Sequence, residues 1–307
     1  MAQVIAIVGP TAVGKTALSL ELAQHLNGEI ISGDSMQIYR HLDIGTAKAT
    51  PAEQAVAPHY LIDIKDPHER FSVAEFKELA QAKINEIVAR GKQPIIVGGT
   101  GFYLQALMEN LSLGNDQFDA ESEAIRQRLR DQLAATSPEA MWNRLQQVDP
   151  TAAAKIPVMN TRRVIRALEV IEKTGQLFSD QPQLAPLDDY YVVGLNTERS
   201  VLYDRINHRV DLMMEQGLLD EAKWLYEQGG MDWQSGKGIG YRELMPYFAG
   251  EVSLADAINQ IKLDSRHYAK RQLTWFRNQV NTHWYDLVSG QNTTKEIEAD
   301  LTSWLRK

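Results

Sequence analysis

Gly9-Pro10-Thr11-Ala12-Val13-Gly14-Lys15-Thr16 has the form G-x-x-x-x-G-K-[ST], and its flanks support the motif. Val4-Ile5-Ala6-Ile7-Val8 before it is an apolar, β-branched run suited to a buried strand. Thr16 to Leu26 after it places Leu18, Leu22 and Leu26 on one helical face. A strand, a glycine turn and a helix N-terminus together make an anion site. Backbone N–H groups converge there, the helix dipole adds partial positive charge, Lys15 adds a full one, and Thr16 can hold Mg²⁺. The alternative, a fortuitous glycine-rich turn, leaves the spacing, the lysine and the threonine unexplained. The motif implies that a di- or triphosphate binds, without saying which.

Composition sets the surrounding limits. A chain of 307 residues is one large or two ordinary domains, with ample length for a core. A hydrophobic share of 44% and a charged share of 23% are those of an ordinary globular protein. No run of apolar residues is long enough for a transmembrane helix, and no targeting segment precedes the first strand. The absence of cysteine excludes a disulfide framework, a thiolate metal site and a thiol nucleophile. These features lead us to expect a cytoplasmic protein, taken here as a monomer. The net charge of −8 argues against a nucleic-acid partner, but charge position matters more than the sum. Lys262, Arg266, Lys270, Arg271 and Arg277 face only Asp264 in their stretch, and Arg162, Arg163 and Arg166 have no acid among them.

Along the chain, Glu29–Ser32 reads as a second strand, running into Gly33-Asp34-Ser35-Met36-Gln37-Ile38-Tyr39. A loop from Thr50 to Pro58 leads to the strand-like His59–Ile64. Ser72 and Glu75 have capping-box spacing and open a helix that reaches about Arg90. Pro94–Val97 is another buried strand, followed by Gly98-Gly99-Thr100-Gly101 and a helix from Phe102 to Met108. Strands alternating with helices imply βαβ units and a parallel sheet. Loops that follow parallel strands open on one edge, so Gly9–Thr16, Gly33–Tyr39 and Gly98–Tyr103 are expected to meet. Residues 114–189 change to amphipathic helices, among them Ala124–Ala134, Pro138–Gln147 and Asn160–Lys173, and end in a linker over Gln181–Pro186. The expected organisation is a P-loop α/β core over 1–113 and 190–307 with a helical insertion over 114–189. Tyr190–Leu195 returns to strand, and Ser200–Gln228 and Leu254–Arg277 read as helical.

Several residues carry candidate chemistry. Asp34, at the mouth of the second strand and expected beside the phosphate loop, could accept a proton, orient a nucleophile or ligate Mg²⁺; it could equally be a turn or cap residue. Thr100 could reach the same ligand or simply cap its helix. Arg205 and Arg209 share one helix face and could form a second anion site or a solvated face. The same choice applies to Arg126, Arg128 and Arg130. Lys237 and Arg242 flank glycines that would let backbone approach a phosphate. His59, His208 and His267 lack metal-ligand spacing, and Trp275-Phe276 reads as core.

An ordered set of motifs carries a resemblance over nearly the whole chain. G-P-T-A-V-G-K-T, D-S-M-Q-I-Y, G-T-A-K, G-G-T-G-F-Y, R-R-V-I-R-A-L-E-V, K-G-I-G-Y-R-E and R-Q-L-T-W-F-R run from Gly9 to Arg277. The set resembles the isopentenyl-tRNA transferase family, the bacterial tRNA dimethylallyltransferases. Only the tail after about Asp286 carries no such signal. The resemblance implies transfer of a dimethylallyl group from its diphosphate to N6 of the adenosine immediately 3′ of the anticodon, in tRNAs reading codons that begin with U. It implies that the phosphate loop holds dimethylallyl diphosphate with Mg²⁺, and that the anticodon stem-loop is the partner. It makes Asp34 the general base, Thr100 the hydroxyl beside it and Arg209 the arginine near the diphosphate. It assigns tRNA contacts to Asp34, Ser35, Met36, Gln37 and Thr100; to Arg126, Arg162, Arg163, Val164, Ile165 and Arg166; and to Lys237, Gly238, Ile239, Gly240, Tyr241 and Arg242. Two other readings stand beside it: a P-loop small-molecule kinase using ATP, which leaves the basic helices unexplained, and a non-catalytic RNA-binding switch, which needs no Asp34.

Overall fold

The first strand, β1 (Gln3–Val8), turns Val4, Ala6 and Val8 into one hydrophobic core and Ile5 and Ile7 into another. Burial on both faces is what a central strand of a parallel sheet requires. The computed structural model, which describes residues 1–113, 119–180, 182 and 184–306, places β1 there. There follow α1 (Lys15–His25), β2 (Gly28–Ser32), α2 (Pro51–Val56), β3 (His59–Tyr60), α3 (Val73–Ala89), β4 (Gln93–Gly98) and α4 (Gly101–Met108). The chain passes through α5 (Ala120–Ala135), α6 (Pro138–Val148), α7 (Pro150–Lys155) and α8 (Thr161–Thr174). It then continues as β5 (Asp189–Leu195), α9 (Arg199–Glu215), α10 (Leu218–Glu227), α11 (Met245–Phe248), α12 (Leu254–Gln279), β6 (His283–Tyr285) and α13 (Thr294–Leu305).

The strands form one six-stranded sheet, in the order β3-β2-β4-β1-β5-β6, with every pairing parallel. β4, not β2, is the neighbour of β1 on that side, so the loop carrying Asp34 is one strand further from the phosphate loop than sequence order suggested. One face of the sheet is covered by α1, the N-terminal part of α9 and α13, through Leu18, Leu22, Leu202, Ile206, Ile297 and Leu301. The other is covered by α3, α4, α10 and most of α12, through Phe76, Ile84, Leu104, Leu225, Ile261 and Phe276. Fully burying each such side chain contributes about 1.5–3 kcal/mol.

Three local expectations change. The loop Thr50–Pro58 contains α2, started by a complete capping box between Thr50 and Glu53 with proline at its first turn. The strand expected over His59–Ile64 stops at Tyr60, because Leu61 (φ 60°) and Asp63 (φ 54°) leave the extended region. The helical stretch Ser200–Gln228 is two helices, divided at Gly217, which adopts φ 106° and caps α10. The tail after Asp286, silent in the sequence, is α13, whose Ile297 and Leu301 are wholly enclosed.

The chain divides into two compact units, Met1–Glu109 with Pro186–Lys307, and Asn110–Ala185. These boundaries lie a few residues before the 114 and 189 expected from the sequence. Gly114, Gln181 and Gln183, which entered those expectations, lie outside the described residues. Within the second unit, α5 to α8 close around Leu129, Met141, Leu145, Ala153, Ile156, Val164, Ala167 and Leu168. Among the described residues, no helix is long and apolar enough to cross a membrane.

Candidate active site

The phosphate loop leaves β1 and enters α1 without a side-chain cap. Gly14 (φ 103°) occupies the cap position, and no acidic residue lies in the first turn of α1. The N–H groups at this helix start are therefore not used by a capping side chain, and their partial charge is not offset. Lys15 folds back and donates to the carbonyls of Gly9 at 3.0 Å and Pro10 at 2.6 Å. Arg205 closes the loop from α9, its Nε donating to the carbonyl of Ala12 at 2.9 Å. Thr16 is exposed at the loop's end.

Asp34 is placed by close backbone approach rather than by strand pairing alone. Gly33 donates its N–H to the carbonyl of Val97 at 2.8 Å, and a Cβ on Gly98 would come within 2.4 Å of the Gly33 carbonyl oxygen. The exits of β2 and β4 are thus pressed together. Asp34 Oδ1 accepts from the N–H of Met36 at 2.8 Å, which is a turn role. Its carboxylate also senses Lys15 and Arg209 electrostatically, so the turn role leaves it within reach of the charges of the phosphate loop. Thr100 occupies the cap position of α4 but makes no cap hydrogen bond. Its Oγ1 instead accepts from the Ser35 N–H at 3.1 Å and donates to Ser35 Oγ at 3.3 Å. Thr100 is thus the cap of α4 by position, through its carbonyl, while its hydroxyl is engaged with Ser35.

The electrostatics of the site follow from its enclosure. Burial brings the Lys15 ammonium down to about 7, helped by the Arg209 charge and opposed by Asp34. Burial raises the Asp34 carboxyl above the ordinary carboxylate range, against the Met36 N–H, Lys15 and Arg209, which lower it. Arg209 is itself lowered by burial, while Asp34 and Glu53 favour its charge. Two cations and one anion crowd a poorly solvated place, a pattern that marks functional sites. Net positive charge beside free amides suits a phosphate.

Two residues at this edge were not singled out from sequence. Gln272 links the phosphate loop to the β4 exit, and Tyr268, one turn earlier on α12, neighbours Thr100 and Gln272 and feels the charge of Asp34. Gln272 did lie inside the motif R-Q-L-T-W-F-R. The available signal was an amide on the stripe Ala257, Ile261, Ala269, Phe276, which is apolar but for Ser265.

The expected RNA contacts divide sharply. Arg162 and Arg163 are exposed on α8, with no ion pair to another described residue. Arg166 is different: it pairs with Glu169 at 2.9 Å and donates to the Leu113 carbonyl at 3.0 Å. Arg126 pairs with the same Glu169 at 2.8 Å. Glu169 is 1% exposed, so these two arginines neutralise a buried carboxylate. The field expected from Arg162, Arg163 and Arg166 together is reduced by an acid one turn beyond them. Arg130 pairs with Glu123 at 3.1 Å, and Arg128 with Glu172. Val164 is wholly enclosed and its side chain offers no surface for RNA, while Ile165 is partly buried against the same core. Tyr241 is also enclosed, its hydroxyl donating to Glu221 at 2.6 Å, and Gly238 and Gly240 are buried beside it. Lys237 is exposed, while Arg242 pairs with Glu243 at 2.6 Å and Asp264 at 2.8 Å. Gln37 donates to the carbonyls of Thr46 and Ala47, both at 3.2 Å. Phe276 is core as expected, whereas Trp275 is partly buried, edge-on to Phe102. His59 takes a structural place, its Nδ1 2.8 Å from the Ala57 carbonyl, and His208 and His267 are exposed.

Fold and site define the class: a P-loop protein whose phosphate loop shares its sheet edge with a half-buried carboxylate. Known proteins narrow it further. The family described as IPP transferase matches residues 37–279. A tRNA dimethylallyltransferase of Limosilactobacillus fermentum is 65% identical over 307 residues, covering all of both chains. The full-length tRNA isopentenylpyrophosphate transferase of Bacillus halodurans, a solved structure, is 49% identical with a TM-score of 0.75, covering 100% of this chain and 97% of that one. A eukaryotic dimethylallyltransferase acting on tRNA is 32% identical with a TM-score of 0.79, covering 97% and 78%. The chain belongs to the IPP transferase family, and it is an enzyme.

Proposed function

We propose that this enzyme transfers the dimethylallyl group of dimethylallyl diphosphate to N6 of the adenosine immediately 3′ of the anticodon, in tRNAs that read codons beginning with U. The observation that carries the reading is the meeting of Asp34 with Lys15 and Arg209 at one sheet edge. The N6 lone pair forms the new bond to the allylic carbon, the bond from that carbon to diphosphate breaks, and diphosphate leaves with the electron pair. Asp34 accepts the proton lost from N6, and burial makes it a stronger base than an ordinary carboxylate. Lys15, the loop amides and Arg209 offset the charge that grows on the leaving oxygens. Thr100 orients the Asp34 loop through its hydrogen bonds to Ser35. The base leaves its stack to reach the carbon, as in other enzymes that act on nucleobases.

The exposed Thr16 hydroxyl is the donor a phosphate loop offers Mg²⁺, and a single neutral donor fits an ion whose other ligands are diphosphate oxygens and water. Bound there, Mg²⁺ would supply further charge neutralisation to the diphosphate. Of the expected RNA contacts, Arg162 and Arg163 on the helical unit and Lys237 on the core are exposed cations without an ion pair to another described residue, and these would meet RNA phosphates. We take the enzyme as a monomer, working in the cytoplasm where its tRNA is. The test incubates the protein with tRNA, labelled dimethylallyl diphosphate or ATP, and Mg²⁺. Label on tRNA together with released diphosphate supports the reading; phosphoryl transfer from ATP, or binding without transfer, defeats it.

A further inference from the structure

Gln272 lies on the buried stripe of α12 and is 5% exposed. Its Oε1 accepts from the Thr11 N–H at 3.1 Å, and its Nε2 donates to the Gly99 carbonyl at 3.0 Å. One amide therefore spans the exits of β1 and β4, with both ends engaged. The approach is close enough that a Cβ on Gly99 would lie 2.0 Å from Nε2, so residue 99 has no room for a side chain while this link stands. Beyond Gly99 comes Thr100, whose hydroxyl accepts from the Ser35 N–H next to Asp34. An unbroken path runs from Thr11 through Gln272, Gly99, Thr100 and Ser35 to Asp34, alternating hydrogen bonds with covalent neighbours. Tyr268 buttresses it, lying against Thr100 and Gln272 from the preceding turn of α12.

We infer that Gln272 is a positioning residue, fixing the phosphate loop against the Thr100 loop and so setting the distance between the leaving diphosphate and the attacking amine. The inference rests on the transfer reaction proposed above. Both polar ends of Gln272 are occupied by backbone, so it acts through the two loops rather than on substrate. Its amide is suited to the task because it alone offers an acceptor to Thr11 and a donor to Gly99 on one rigid plane. Misplacing reacting groups by about 1 Å costs on the order of 10²-fold in rate, whereas each substrate still finds its own half of the site.

The experiment compares Gln272→Ala and Gln272→Glu with wild type in the full chain. It measures kcat for prenyl transfer, separate Kd values for dimethylallyl diphosphate and tRNA, and amide hydrogen exchange at Thr11. The alanine variant should lose about 10- to 10²-fold in kcat, with both Kd values within about threefold of wild type and faster exchange at Thr11. The near-isosteric glutamate keeps the acceptor for Thr11 but sets a carboxylate oxygen against the Gly99 carbonyl. Once protonated it can donate there, so its kcat relative to wild type should climb as pH falls from about 8 to about 6. A merely packing residue would leave kcat of the folded variants at the wild-type value and their ratio to wild type flat with pH, and either result overturns the inference. Should the alanine variant not fold, the glutamate profile alone decides. If wild type transfers no prenyl group, the reaction reading falls, and Thr11 exchange still judges the link: faster exchange in either variant upholds it, unchanged exchange refutes it.

Discussion

Binding of the prenyl diphosphate should draw a proton from solvent onto Lys15. In the free enzyme burial, and then the charge of Arg209, bring this ammonium down to about 7. A diphosphate beside it would favour the charged form and lift the value well above that. A group whose pKa rises on binding strengthens the complex fully below its free value and loses that contribution as pH climbs towards its bound value. With a free value of about 7, the Kd for dimethylallyl diphosphate should double at about pH 7 relative to low pH. It should then rise about tenfold per unit, a loss of about 50-fold between pH 7 and pH 9. Calorimetric titration at pH 8, in two buffers of different ionisation enthalpy, should count close to one proton taken up per donor bound. Lys15→Arg keeps its charge at every pH and should flatten the profile; Lys15→Met should bind weakly throughout. Arg209→Gln removes the second cause of the low value, so the midpoint should move to higher pH. No proton uptake at pH 8, with a Kd constant from pH 7 to pH 9, would show that Lys15 is already fully charged in the free enzyme and would refute the reasoning.

Asp34→Asn keeps the Met36 hydrogen bond but removes the proton acceptor, so turnover should fall by about 10²-fold or more while both substrates bind; a wild-type rate at saturation would leave Asp34 a turn residue only. In wild type, kcat should rise with pH through the carboxyl's own titration, and burial puts that rise above the pH at which an ordinary carboxylate titrates. Arg162→Ala and Arg163→Ala should each flatten the log–log salt dependence of tRNA affinity by about 0.7 for every phosphate that the arginine neutralises, with turnover at saturating tRNA unchanged. Arg166→Ala, whose guanidinium serves Glu169, should instead lower stability; a salt slope altered by Arg166→Ala alone would reverse this division. Glu169→Leu strands two arginines beside an apolar core and should destabilise the helical unit by about 3–5 kcal/mol, read from denaturant melts against wild type.

The phosphate loop could be read from residues alone because its signal is local. Strand, glycine turn, Lys15 and helix lie within a few residues of one another, and their geometry follows from backbone preference and hydrophobic period. The same locality made β4, α3 and the parallel arrangement legible, and the ordered motifs carried the family. Strand order was beyond it, since pairing of β1 with β4 joins residues that the chain keeps far apart. Which side chains of the expected RNA-facing set are enclosed or ion-paired was beyond it for a related reason. Val164 shares a helix with Arg162 and Arg163 but points into the core, because 3.6 residues per turn carry it to the opposite face. Arg166 loses its field to Glu169, which also receives Arg126 from another helix. Gln272 reaches Thr11 and Gly99 from the far end of the sequence. Hydrophobic period and turn chemistry are properties of neighbours in the chain, so sequence by itself determined the phosphate loop and the elements around it. Which charges remain exposed, and which loops are tied together, are properties of neighbours in space, and only folding brings those residues into contact.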